Sequence, residues 1–152
     1  MEKSYVSSVI DAPIDAVWSH LRDFGGVARY YSAVKSATIA DGKSGDVVGC
    51  ERVVVLQDGS TVRERLLGLS DEDYSTSYAL VSEGLPLTNY VATVRLKPIT
   101  DGAKTFIEWT SRYDVINGDV RGVHELVERD IYLAAMRGLQ MLLRAVSAER
   151  NV

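Results

Sequence analysis

Residues 119–149 read DVRGVHELVERDIYLAAMRGLQMLLRAVSAE. Val123, Val127, Ile131, Ala134, Gly138, Leu142 and Ala145 recur every three or four residues and share one stripe of a helix, while Glu125, Arg129, Arg137, Arg144 and Glu149 fall mostly elsewhere. Asp119 stands where a side-chain oxygen can cap the first free N–H groups. About 30 helical residues span roughly 45 Å, enough to cross a whole sheet. A helix with one broad apolar face must bury that face, so the chain in front of it must supply a large partner. Gly138 lowers helix propensity by about 1 kcal/mol relative to alanine, which points to close approach of another element at that position.

The partner lies between Val34 and Tyr113. Runs rich in β-branched and aromatic residues are separated there by Asp41-Gly42, Asp58-Gly59, Asp71-Glu72-Asp73, Gly84-Leu85-Pro86 and Asp101-Gly102. Aspartate-glycine between such runs marks a hairpin, because tight turns need positive φ. Six strands in succession imply an antiparallel meander. Residues 5–10 add a first strand. Pro13 then suits the first position of a helix, and Ile14, Val17, Trp18 and Leu21 follow at helical spacing. Gly25-Gly26 breaks that helix, and residues 27–31 form one more short turn. The expected fold class is α+β: a curved antiparallel sheet of about seven strands around a long C-terminal helix, with a short helix pair after strand 1. No linker or repeat divides residues 1–152, which read as one domain.

Composition narrows the function. Of the 152 residues, 46% are hydrophobic and 25% charged, close to globular averages, and the net charge of −4 comes without a basic cluster. That argues against a nucleic-acid partner. The single cysteine, Cys50, excludes an internal disulfide framework and a multi-cysteine zinc site. His20 and His124 sit on different helices with no third ligand at metal spacing, so no metal is expected. No glycine-rich loop carries the dinucleotide fingerprint, and no cofactor is called for. Met1 to Ser8 lacks a signal-peptide core and no segment is long enough to span a bilayer, so a cytoplasmic location is the default expectation.

Strand parity singles out charges on the apolar face. Alternate residues of a strand share a face, so Glu64 lies in phase with Val62 and Leu66 while Arg63 and Arg65 point the other way. Arg52 lies in phase with Cys50, Val54 and Leu56. A two-residue turn at Asp58-Gly59 sets Arg52 opposite Arg65; a three-residue turn with glycine in the left-handed region sets it opposite Glu64. Parity also groups Tyr78, Tyr90, Val94, Trp109 and Tyr113 on the inner face. Desolvating a charge costs several kcal/mol per ion, so fold stability gives little reason to keep such a pair inside. A wet pocket lined by aromatics with polar tips removes most of that cost. The alternatives are a purely structural ion pair, or a register that leaves one charge outside.

The order of elements, and the opening Val9-Ile10-Asp11-Ala12-Pro13-Ile14-Asp15-Ala16-Val17-Trp18, resemble the helix-grip superfamily: birch-pollen-allergen-like, lipid-transfer and polyketide cyclase/dehydrase domains. Val47-Val48-Gly49-Cys50-Glu51-Arg52, Arg63-Glu64-Arg65-Leu66 and Ser75-Thr76-Ser77-Tyr78 are similar to the plant lachrymatory-factor synthases within it. In those enzymes an arginine and a glutamate on neighbouring strands carry proton chemistry in an aromatic pocket. The resemblance places Arg52 and Glu64 in these roles, with Tyr78, Tyr90 and Trp109 lining the pocket, and it favours the longer turn. A looser likeness to the abscisic-acid receptors does not extend to their gate and latch loops.

Two function classes follow. As an enzyme, the chain would isomerise, cyclise or dehydrate a small, mostly apolar molecule without a cofactor: Glu64 as acid or base, Arg52 holding an anionic or oxygen-rich group, Tyr90 donating to developing charge. As a carrier, the same pocket, with Tyr78, Trp109, Leu66 and Val94 as binding residues, would hold a hydrophobic ligand or lipid unchanged. An interaction domain with a vestigial pocket is the third option.

Overall fold

The computed structural model describes residues 1–150; Asn151 and Val152, the end of the expected domain, lie outside them. Seven strands form one antiparallel sheet: β1 (Glu2–Ile10), β2 (Val34–Ile39), β3 (Glu51–Leu56), β4 (Thr61–Ser70), β5 (Ser75–Leu80), β6 (Leu87–Ile99) and β7 (Lys104–Val115), in the order β1-β7-β6-β5-β4-β3-β2. From β2 to β7 each strand pairs with the next, as a meander requires, and β1 closes onto β7. Bulges at Val34/Ser36, Leu66/Gly68 and Thr88/Val91 interrupt the register. An extra residue on one strand bends it and sharpens its twist, which helps the sheet curve around the helix.

Between β1 and β2 lie α1 (Ile14–Leu21) and a 3-10 helix (Phe24–Arg29). Pro13 sits one residue before α1 rather than as its first residue, and Gly25-Gly26 falls inside the 3-10 helix instead of ahead of it. Asp41-Gly42 is no tight hairpin: β2 and β3 are joined by the longer segment 40–50. Asp58-Gly59 does make a close turn. Leu56 and Ser60 bond across three intervening residues, and Gly59 takes φ +86°.

The C-terminal helix runs from 120 to 150 in three parts: α2 (Val120–Glu125), a π-helical stretch (Leu126–Leu133) and α3 (Ala134–Arg150). Asp119 caps it by accepting the Gly122 N–H at 3.0 Å. The π stretch corrects the helical stripe expected from sequence. Its buried residues are Val127 and Tyr132, five apart, followed by Ala135, Met136, Leu139 and Leu143. Bonds from i to i+5 take more residues per turn. The face therefore slips by about one residue, and Ile131, Ala134, Leu142 and Ala145 rotate away from the centre of the core. Gly138 keeps its expected role: a methyl there would overlap the Tyr30 carbonyl oxygen, so the helix and the segment after the 3-10 helix touch backbone to backbone.

Candidate functional site

The concave face of the sheet and the C-terminal helix enclose a cavity of about 370 Å³, within the usual range for small-molecule sites. Strands β3 and β4 supply its charged pair. Arg52 stands opposite Glu64 in the ladder, as the three-residue turn requires. Arg52 Nε donates to Glu64 Oε1 at 2.9 Å, and Nη2 lies 2.8 Å from the same oxygen in an ion pair. Arg52 Nη1 donates to the Phe24 carbonyl at 3.0 Å. The guanidinium carbon lies 4.1 Å from the Phe24 ring centroid and 4.9 Å from that of Tyr78. The two side chains are 7% and 14% exposed. Burial works against the charge on Arg52, but the Glu64 carboxylate outweighs it and holds the guanidinium pKa above its ordinary value.

Glu64 Oε2 is different. Among the described residues no group donates to it, although Glu64 lines the cavity. One carboxylate oxygen is thus fixed by arginine, while the other remains available to whatever fills the space.

Aromatic hydroxyls meet nearby. Trp109 Nε1 donates to the Tyr78 hydroxyl at 3.2 Å. An indole N–H can only donate, so the Tyr78 oxygen is the acceptor here and its own proton is directed elsewhere. Tyr90 and Tyr132 share a hydroxyl–hydroxyl bond, and the Tyr132 ring stacks on Trp109 at 4.7 Å and 11°. Burial pushes the pKa of Tyr78 and Tyr90 well above the ordinary phenol value and raises that of Tyr132. All three are neutral donors near pH 7, not bases.

Of the residues singled out from sequence, Arg52, Glu64, Tyr78, Tyr90 and Trp109 line the cavity. Leu66 and Val94 do not; they are fully buried in the core. Each pairs directly with a larger aromatic, Leu66 with Tyr78 and Val94 with Trp109, and an aliphatic chain is too short to reach past such a ring. Tyr113 also misses the cavity and bonds instead to Ser4 Oγ at 2.8 Å. Parity could not find the lining from other elements. Val27 and Tyr31 come from the first crossover, Val34 from the start of β2, Leu85 from the loop before β6 and Leu87 from the first residue of β6, and Leu126, Ile131 and Ala135 from the helix. The exposed residues Gln57 and Asp58 mark the open end.

A sheet gripping a long helix around an internal cavity defines the helix-grip class of proteins. The family model for polyketide cyclase/dehydrase and lipid transport matches residues 1–145, and the chain belongs to that family. Solved structures share the fold. XoxI from Bacillus cereus has a TM-score of 0.85 at 22% identity, covering 97% of this chain and 99% of its own. A protein from Nitrosospira multiformis has a TM-score of 0.79 at 25% identity, covering 97% and 99%. Norcoclaurine synthase from Thalictrum flavum, solved with dopamine and hydroxybenzaldehyde, has a TM-score of 0.74 at 18% identity, covering 95% and 87%. The family description implies a small hydrophobic ligand. No helix among the described residues is long and apolar enough to cross a membrane.

Proposed function

We propose that residues 1–152 act as one ligand-binding domain that catalyses a cofactor-free proton transfer on a small, mostly apolar molecule, leading to isomerisation, cyclisation or dehydration. The observation that carries this reading is the division of labour within Glu64, which lines the cavity: Oε1 is held by Arg52, while among the described residues no group donates to Oε2. A base must reach its proton directly and hold one orientation. Glu64 Oε2 takes a proton from the substrate and returns it at a second position. Arg52 acts as a positioning residue: it holds Glu64 Oε1, and both its faces are covered by Phe24 and Tyr78. Negative charge developing on a substrate oxygen is met by the Tyr78 proton, and by Tyr90 when Tyr132 donates to it. Such preorganised donors are effective in a water-poor site.

The test begins with native mass spectrometry of freshly purified protein, to identify a copurifying molecule. Turnover of that molecule and its precursors is then followed in wild type and Glu64→Gln. The variant keeps shape and a neutral acceptor but loses the base, so binding weakens without being lost while turnover at saturating substrate falls by roughly 10²–10⁴-fold. Unchanged turnover removes Glu64 from the mechanism. A carrier is the second reading, favoured by the aliphatic remainder of the lining; a molecule released unaltered, with no precursor converted, supports it.

A further inference from the structure

The charges of the cavity define the ligand more narrowly. Among the described residues Arg52 is its one cationic side chain, and Glu64 already neutralises it at 2.8 Å. Its Nε donates to Glu64, its Nη1 donates to the Phe24 carbonyl, and its faces lie against Phe24 and Tyr78. A carboxylate entering the cavity therefore meets no cation that lacks a counter-ion. It meets Glu64 Oε2, an acceptor of the same sign, and Asp58 stands at the open end. A cationic ligand would find Oε2, but that carboxylate's charge is already shared with Arg52, so one charge of the three stays uncompensated among aliphatic side chains. Burying an unpaired charge is costly, whereas a neutral donor satisfies Oε2 and adds no charge.

We infer that the pocket selects uncharged ligands that carry a hydrogen-bond donor, a hydroxyl on an apolar skeleton being the simplest case, and turns away carboxylates. The inference rests on the binding function proposed above and names the ligand class of that same site. An apolar skeleton suits the aromatic and aliphatic lining that includes Tyr78, Tyr90 and Trp109. Glu64 Oε2 takes the donor, and the same contact sets the ligand's proton against the proposed base.

Four probes on one ring system test this by isothermal titration calorimetry at neutral pH: 2-naphthol, 2-methoxynaphthalene, 2-naphthoate and 2-naphthylmethylammonium. They offer a neutral donor, the same oxygen without its proton, an anion and a cation. The expected result is that 2-naphthol binds roughly tenfold or more tightly than each of the others, the difference that a hydrogen bond to a charged acceptor makes. In Glu64→Gln, Arg52 loses its counter-charge, so 2-naphthoate should gain roughly tenfold or more over its wild-type affinity. Wild-type protein that binds 2-naphthoate or 2-methoxynaphthalene as tightly as 2-naphthol overturns the inference and leaves the binding function standing. If none of the four binds at millimolar concentration, both fall. The wild-type comparison decides the matter even if the variant folds poorly.

Discussion

Removing the Arg52–Glu64 pair as a unit should have a different effect from breaking it. Two unit charges 2.8 Å apart attract by about 6 kcal/mol at an effective dielectric constant of about 20. Desolvation costs several kcal/mol for each ion, so the pair as a whole contributes little net stability. Glu64→Leu leaves Arg52 charged, buried and without its counter-ion, which costs about 3–5 kcal/mol. In a domain of this size each kcal/mol moves Tm by about 2–4 °C, so Tm should fall by about 6–20 °C. Arg52→Met should cost less, because the orphaned Glu64 lines the cavity and is the more exposed of the two side chains. The double variant Arg52→Met/Glu64→Leu should return to within about 1 kcal/mol of wild type or exceed it. Urea denaturation of all four proteins closes the double-mutant cycle. A double variant less stable than Glu64→Leu would show that the pair holds the fold together, and would refute the reasoning that it is kept for the site.

Three further outcomes are expected. Gly138→Ala drives a methyl into the Tyr30 carbonyl; overpacking of about 1–3 kcal/mol, offset by about 1 kcal/mol of helix propensity, should lower Tm in a circular-dichroism melt, and an unchanged Tm would deny the close backbone contact. Tyr132→Phe keeps the stack on Trp109 but removes the partner of the buried Tyr90 hydroxyl, which should cost about 1–3 kcal/mol in urea; a neutral substitution would mean that Tyr90 finds another partner. His124 is bonded to Glu2 and Glu128, with Ser4 and Tyr113 beside it, and the two carboxylates raise its pKa above the ordinary 6.5. Because the folded value is the higher one, its stabilisation is fully present below about pH 6.5 and is lost as pH rises through the folded value. The stability advantage of wild type over His124→Gln should therefore shrink from pH 6 to pH 9, and a constant difference would contradict that direction.

Much of this arrangement follows from the order of residues alone. A strand's period of two holds whatever the strand packs against, so Arg52, Glu64, Tyr78, Tyr90 and Trp109 each fall in phase with apolar residues of their own strand. The long apolar helix and the aspartate-glycine turn at residues 58–59 were equally local signals. Neighbouring elements decided the rest. Turn length, and with it the meeting of Arg52 and Glu64, was open until β3 and β4 paired. The third Arg52 contact comes from Phe24, on a distant crossover. Leu66 and Val94 have the right parity but the wrong reach, since depth in a cavity depends on the size of the neighbours. The helical stripe went astray after Val127, because the π stretch widens the turn. That widening belongs with the burial of Tyr132 against Trp109 and Tyr90, contacts between residues far apart in the chain. Periodicity set the faces of each element; packing between elements set register, depth and the free oxygen of Glu64.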